Sequence, residues 1–311
     1  MIDHINWYPG HMKKTRELIV ASLRLVGAVV EVCDARIPVS SRNPVLDELT
    51  RGKPRVLVLN KSDLADEATT QAWLGSYGGR VRARANDSGS GILFAIAMNS
   101  LTGGGLKKLL AALVRIANTQ GSDVVGNGET RRTKPLRVMV VGVPNSGKSS
   151  LINRLAGRRA AQTGDKPGVT KGKQWLTIEN GMQLLDTPGI LWPKFDDPNV
   201  GLNLAFCGSI KDEIMDAPEL ALELIRVLED RYPGMLAARY GLGVSRAREI
   251  EGEPDASGAL SVMEGIARGR GCVLPGKRVD YERAGRVILD EFRAGKLGRI
   301  TLEDVSGRNS T

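Results

Sequence analysis

The residues best suited to chemistry lie at 142–149, which read GVPNSGKS and match G-x-x-x-x-G-K-[ST]. Glycines at both ends of such a loop let the backbone curl, so that successive N–H groups face one anion. A helix start directly after it adds its positive dipole end. Asn145, Ser146, Gly147, Lys148, Ser149 and Ser150 are therefore the expected contacts of a nucleotide phosphate chain. In this pattern Lys148 reaches the β and γ phosphates, and the Ser149 hydroxyl ligates Mg²⁺. A second chemical group lies upstream, Asn60-Lys61-Ser62-Asp63. Guanine carries an exocyclic amine beside a ring N–H, two donors side by side, and the Asp63 carboxylate can accept both. Adenine would leave that carboxylate poorly paired, so GTP is the expected ligand. Asn60 can tie loops together, and the Lys61 stem can lie along the base while its amine braces the phosphate loop.

Three further segments complete the set. At 99–102 the sequence reads NSLT, where a second base-contacting loop would fall, with Asn99 and Ser100 as candidates. At 186–189 it reads DTPG, a D-x-x-G element. Asp186 is placed to hold Mg²⁺ through water, and the Gly189 N–H to sense the γ-phosphate. Between the phosphate loop and that element lies the polar segment 164–173, GDKPGVTKGK, whose Thr170 is the candidate switch ligand of Mg²⁺. Asn145 can stabilise the loop or offer its oxygen to a monovalent cation such as K⁺ beside the phosphates; both readings stand. Ras-like enzymes orient water with a Gln after D-x-x-G, but here Ile190 and Leu191 follow Gly189. His4 and His11 are the chain's two histidines, and a lone His is more often structural than catalytic.

These groups need elements to position them. Short β-branched runs at 28–33, 55–59, 92–97, 136–141, 174–178 and 182–185 are nearly all apolar, as strands buried on both faces must be. Helical stretches at 13–25, 44–50, 68–77, 106–118 and 148–156 alternate with them, which predicts an α/β domain with a mostly parallel sheet. It spans residues 1–195, with a polar, Gly-rich linker at about 119–134. The base motif precedes the phosphate loop, the reverse of the ordinary order, so the expected fold is a circularly permuted P-loop GTPase. From about residue 200 strand signals disappear. Asp216 and Pro218 mark a helix start, further helical spacing falls at 257–268 and 279–294, and a smaller all-α domain is expected over 200–305.

The bulk numbers narrow the setting. The formal net charge is +9, which makes an anionic partner plausible. Residues 1–200 carry 28 Lys and Arg against 17 Asp and Glu, whereas 201–311 carry 16 against 18. Basic residues nevertheless gather between Arg268 and Arg299; they can track nucleic-acid phosphates or simply solvate helix faces. No apolar run approaches the roughly 18–20 residues of a membrane span, and the N-terminus lacks a signal-peptide stretch. Cys33, Cys207 and Cys272 fit no zinc or disulfide spacing. A cytoplasmic, monomeric protein without membrane attachment is the expectation.

Seven segments together resemble the ribosome biogenesis GTPase A family, circularly permuted bacterial GTPases of large-subunit assembly. They are WYPGHM at 7–12, DARIPVSSRNP at 34–44, NKSD at 60–63, GVPNSGKSS at 142–150, PGVTKGKQW at 167–175, LLDTPGILWPK at 184–194 and RAGRVILDEFRAGKLGRITLE at 283–303. The resemblance implies a GTPase that docks on a late precursor of the large ribosomal subunit, its helical domain touching rRNA. It further implies activation by the particle, stimulation by K⁺, an apolar residue in place of the Gln, as Ile190 is, and His11 as the catalytic group. The NSLT loop departs from the usual Ser-Ala-Lys. Two other readings stay open: an RNA-binding assembly factor that holds GTP without turnover, and a permuted GTPase of the small subunit. Against the latter, the sequence carries neither an added barrel nor a Cys/His cluster.

Overall fold

The computed structural model describes residues 17, 19–83, 92–120, 135–157, 175–186, 197–210, 215–242 and 256–305. Residues 19–23 are helical and lead into β1 (Ala28–Asp34). Then follow α1 (Pro44–Leu49), β2 (Arg55–Asn60), α2 (Glu67–Ala83), β3 (Ile92–Ala97) and α3 (Leu106–Thr119). After these come β4 (Arg137–Val141), α4 (Lys148–Leu155), β5 (Trp175–Thr177) and β6 (Gln183–Asp186). The six strands form one sheet in the order β3-β2-β1-β4-β6-β5. Every neighbouring pair is parallel except β5 with β6 at the edge.

The alternation of each strand divides its residues between two helical layers. Val30, Val32, Val56, Val58, Val138 and Val140 face Leu109, Leu113 and Ile116 of α3 and Leu151 and Ile152 of α4. The intervening Val29, Met139 and Val141 pack with Ile19, Leu23 and Leu46. On the same side Cys33, Leu57 and Leu59 meet Trp73 and Tyr77 of α2. All seven residues of β1 are buried, which explains why its sequence shows no polar face.

Two compact units divide the described chain: residues up to Gly201 together with Glu303–Val305, and Leu202–Leu302. In the first unit the returning end is fastened by Glu303. The N–H groups of Val39 and Ser40 and the Ser40 hydroxyl donate to its carboxylate, and Trp73 Nε1 donates to its carbonyl at 3.0 Å.

In the second unit α5 (Pro198–Phe206) runs in from the boundary, followed by α6 (Ala217–Arg231), α7 (Met235–Tyr240), α8 (Ala256–Gly269) and α9 (Tyr281–Arg293). Asp216 caps α6 by accepting from the Glu219 N–H at 2.9 Å, and Asp280 caps α9 by accepting from Arg283 at 3.0 Å. Leu220, Leu224 and Leu228 of α6 and Ile288, Leu289 and Phe292 of α9 are buried. Gly285 permits the close approach of α9 to α6, because a Cβ there would press on the Ala217 carbonyl. Beyond the helices, β7 (Val273–Leu274) and β8 (Arg278–Val279) pair as a short antiparallel ribbon, too brief to leave an alternation in the sequence. Among the described residues no helix is long and apolar enough to cross a membrane.

Candidate nucleotide site

A parallel sheet sends all its strands' carboxyl ends to one edge, and the loops that leave that edge form the natural ligand crevice. Asn60 ends β2, Ala97 ends β3, and Val141 ends β4. The base motif, the NSLT loop and the phosphate loop therefore leave the same edge. Strand β1 lies between β2 and β4, and its last residue, Asp34, is in register with Asn60.

Asn60 joins the three loops through one carboxamide. Its Nδ2 donates to the Ser146 carbonyl at 2.8 Å. Its Oδ1 accepts from the Ser100 N–H at 3.1 Å and the Ser100 hydroxyl at 2.7 Å. Arg154 of α4 adds a bond to the Ser100 carbonyl at 3.2 Å. Asn60 and Ser100 are buried, whereas Asp63 is exposed at the tip of its turn. Asn99 works within its own loop: its Oδ1 accepts the N–H groups of Leu101 at 2.9 Å and Thr102 at 3.0 Å. That carboxamide shapes the loop, which the sequence pattern does not distinguish from a base contact.

The phosphate loop curls through left-handed backbone at Asn145 (φ 57°) and Gly147 (φ 92°) before α4 begins at Lys148. Such a turn gathers N–H groups into an anion-binding concavity at a helix N-terminus. Ser146 Oγ donates to the Val143 carbonyl at 3.0 Å, and Lys148 Nζ donates to the same oxygen at 2.8 Å. Gly147 is required twice over. Its φ is one that side-chain-bearing residues rarely adopt, and a Cβ there would collide with Asn60 Nδ2. Replacing Gly147 with Ala should push Asn60 off the Ser146 carbonyl. GDP affinity is expected to fall at least about tenfold, the scale of a lost buried hydrogen bond plus strain, as read by nucleotide titration.

The Lys61 amine takes a different partner from the phosphate loop. Its Nζ lies 2.9 Å from Asp34 Oδ2, and its backbone is left-handed at φ 56°. Arg36 holds the other side of the same carboxylate, with Nε at 3.0 Å from Oδ1 and Nη2 at 2.8 Å from Oδ2. Burial alone would raise the Asp34 pKa. The charges and hydrogen bonds of Arg36 and Lys61 outweigh it and hold the carboxyl well below the usual carboxylate range. Sequence reasoning singled out Asp34 and Arg36 only as part of the segment 34–44, with no role, and missed Arg154. An acid at the end of a mostly apolar strand was the signal available for Asp34.

Of the residues expected to hold Mg²⁺, Ser149 is described, and Asp186 is described in its backbone alone. Ser149 is the second residue of α4, and Asp186 ends β6 in register with Val140, two residues before Gly142. A serine hydroxyl and an aspartate carboxylate are residue types with the hard oxygen donors that this ion takes. Ser150 follows on α4, half-buried. His11, Thr170, Gly189 and Ile190 lie outside the described residues, as does 121–134 of the expected linker.

Residues 137–229 match the family model described as 50S ribosome-binding GTPase. The Bacillus cereus ribosome biogenesis GTPase A is 40% identical over 299 residues, covering 96% of this chain and 93% of that protein. The Thermotoga maritima protein of the same name is 34% identical over 302 residues, 96% of this chain and 94% of its own length. The Bos taurus mitochondrial ribosome-associated GTPase 1 is 32% identical over 97% of this chain and 90% of its own. Among solved structures, a GDP-bound structure of TM YlqF superposes with a TM-score of 0.61 at 29% identity, covering 93% of this chain and 99% of that one. A GNP-bound YlqF from T. maritima gives 0.59 at 29% identity, covering 94% and 100%. With its base motif ahead of its phosphate loop on a mostly parallel sheet, and with full-length relatives at this identity, the chain is a circularly permuted GTPase that belongs to the ribosome biogenesis GTPase A family.

Proposed function

We propose that this GTPase is a molecular switch that binds a precursor of the large ribosomal subunit and promotes its late assembly, working as a monomer in the cytoplasm. The observation that carries the nucleotide half of the reading is the Asn60 carboxamide, which bonds to both Ser146 and Ser100 and so holds a guanine-reading loop against a phosphate loop. The ribosomal half rests on relatives named for ribosome biogenesis and on a family model described as 50S ribosome-binding.

In this reading Asp63 accepts the two guanine donors, and the NSLT loop with Ser100 borders the base. The backbone N–H groups of residues 145–150 bind the phosphates, with Lys148 on their outer oxygens and Gly189 sensing the last phosphate. Ser149, Thr170 and Asp186 hold Mg²⁺, which when bound neutralises charge on the phosphate oxygens. Asn145 offers an oxygen to K⁺. His11 takes the place of the missing Gln in handling the attacking water.

The helical unit is the proposed rRNA contact, and its basic residues are not equivalent. Arg293 is spent on the Phe206 and Ala205 carbonyls at 3.0 and 2.9 Å, and Arg270 lies 2.7 Å from Glu291. Lys277 and Arg278, by contrast, are exposed on the ribbon beside Val273 and Leu274. They fit phosphate contact best.

Cosedimentation tests the docking. The protein with a non-hydrolysable GTP analogue is expected to pellet with purified large subunits, to do so less with GDP, and to stay behind with small subunits. Equal pelleting with both subunits, or with neither, would remove the large-subunit assignment.

A further inference from the structure

We infer that Asp34 is a positioning residue of the nucleotide site: it holds Lys61 of the NKSD loop and through it sets the affinity for the guanine base. This inference rests on the reading of 60–63 as the base-contacting element.

The argument starts from where Asp34 sits. It is the last residue of β1, the strand between those that carry the base loop and the phosphate loop, and it pairs in register with Asn60. The Ala35 N–H donates to the Asn60 carbonyl at 2.8 Å, which continues the strand pairing past the carboxylate and fixes its height beside Lys61. The Asp34 side chain is 1% exposed, and burying a carboxylate so fully requires partners that return what water would have given. Arg36 supplies three such bonds: the two from its guanidinium and one from its own N–H, at 3.1 Å to Oδ1. Asp34 is also anchored through its backbone, where its N–H donates to Ser41 Oγ at 3.0 Å. The carboxylate is therefore rigid before Lys61 reaches it.

Lys61 arrives differently. Its side chain is 25% exposed, and it leaves a backbone at φ 56°. A long, flexible, solvated ammonium loses rotamer freedom when fixed, and a left-handed non-glycine residue adds strain. A preformed, buried anion at 2.9 Å offsets both. The consequence is a lysine stem locked in place beside the base turn that ends in the exposed Asp63. A base stacking on that stem meets a surface already ordered, so it pays less entropy on binding. Loss of Asp34 should thus weaken GDP and GTP alike, since the base is common to both.

The test is a double-mutant cycle on the full chain, read by titration with fluorescent GDP and by KM and kcat for GTP. Asp34→Asn and Lys61→Met are each expected to raise the GDP Kd about tenfold, the scale of one charge-assisted contact. The double variant should be no worse than either single, because the two act as one unit. In Asp34→Asn, KM should rise while kcat at saturating GTP holds. Lys61→Arg, which keeps a cation for Asp34, should recover most of the affinity. Additive losses in the double variant would assign Asp34 a general structural role and overturn the inference, as would an unchanged Kd in Asp34→Asn. Asp34→Asn leaves the buried Arg36 without its carboxylate, so a variant that fails to fold is replaced by Asp34→Asn with Arg36→Gln, which removes both charges together under the same expectations. Asp63→Asn is run alongside. If it leaves the preference for guanine over xanthine nucleotides unchanged, the base reading itself falls; if it shifts that preference while the Asp34 arm shows nothing, this inference alone falls.

Discussion

Replacing Lys148 with Ala is expected to cut GTP turnover at saturating nucleotide at least about a hundredfold, the cost of removing one preorganised charge from a developing anion. Lys148 stands at the first position of α4 and is buried, its Nζ within 2.8 Å of the Val143 carbonyl. In the proposed reading that ammonium is the group that meets the phosphate oxygens. The change also removes a bond that holds the loop, so melting curves belong beside the kinetics. A loss of turnover with an unchanged melting temperature assigns the effect to chemistry. Turnover within a fewfold of the parent would mean that Lys148 is a structural tie.

The second large effect concerns base choice. Asp63→Asn exchanges an acceptor for a group that presents an amide donor to guanine's own donors. Losing two bonds to a charged acceptor costs about 3 kcal/mol, roughly a hundredfold in affinity. Xanthine carries a carbonyl where guanine carries the exocyclic amine, so an Asn at this position should bind xanthine nucleotides better than the parent does. Competition titration with GTP, XTP and ATP reads both halves. Asp63 is exposed while Asn60 beside it is buried, so the substitution touches the ligand side of the loop and spares its anchor. If GTP affinity survives Asp63→Asn, the carboxylate does not face the base.

How much of this was legible beforehand depended on whether a residue's reason was local. The strands could be read because both faces are covered: β1 is buried throughout, and only Glu31 interrupts its apolar run before Asp34. The phosphate loop could be read because its glycine positions follow from backbone geometry, as the collision at Gly147 shows. The helix start at Asp216 is local as well, a carboxylate accepting an N–H three residues on. Other features are long-range. Glu303 contacts Val39 and Ser40 across more than 260 positions, and no pattern near either end announces it. Asp34 was visible as an acid ending a strand, but its partner Lys61 belongs to a motif whose amine was expected at the phosphate loop. The β7–β8 ribbon was missed for a simpler reason: at 2 residues a side it is below the length at which periodicity can be recognised. Helix α5 has an apolar, nearly unpatterned sequence, PNVGLNLAF, and gave no amphipathic signal.

The NKSD, NSLT and phosphate loops meet at Asn60, and the proposed output lies with a ribosomal particle. The measurement that joins the two is GTP and ATP turnover with and without purified large subunits, in K⁺ and in Na⁺ buffer. Slow hydrolysis of GTP but not ATP, accelerated by large subunits and further by K⁺ over Na⁺, is the expected result, and His11→Ala should then lose the acceleration. GTP turnover indifferent to both the subunits and the cation would contradict the account of a ribosome-triggered switch.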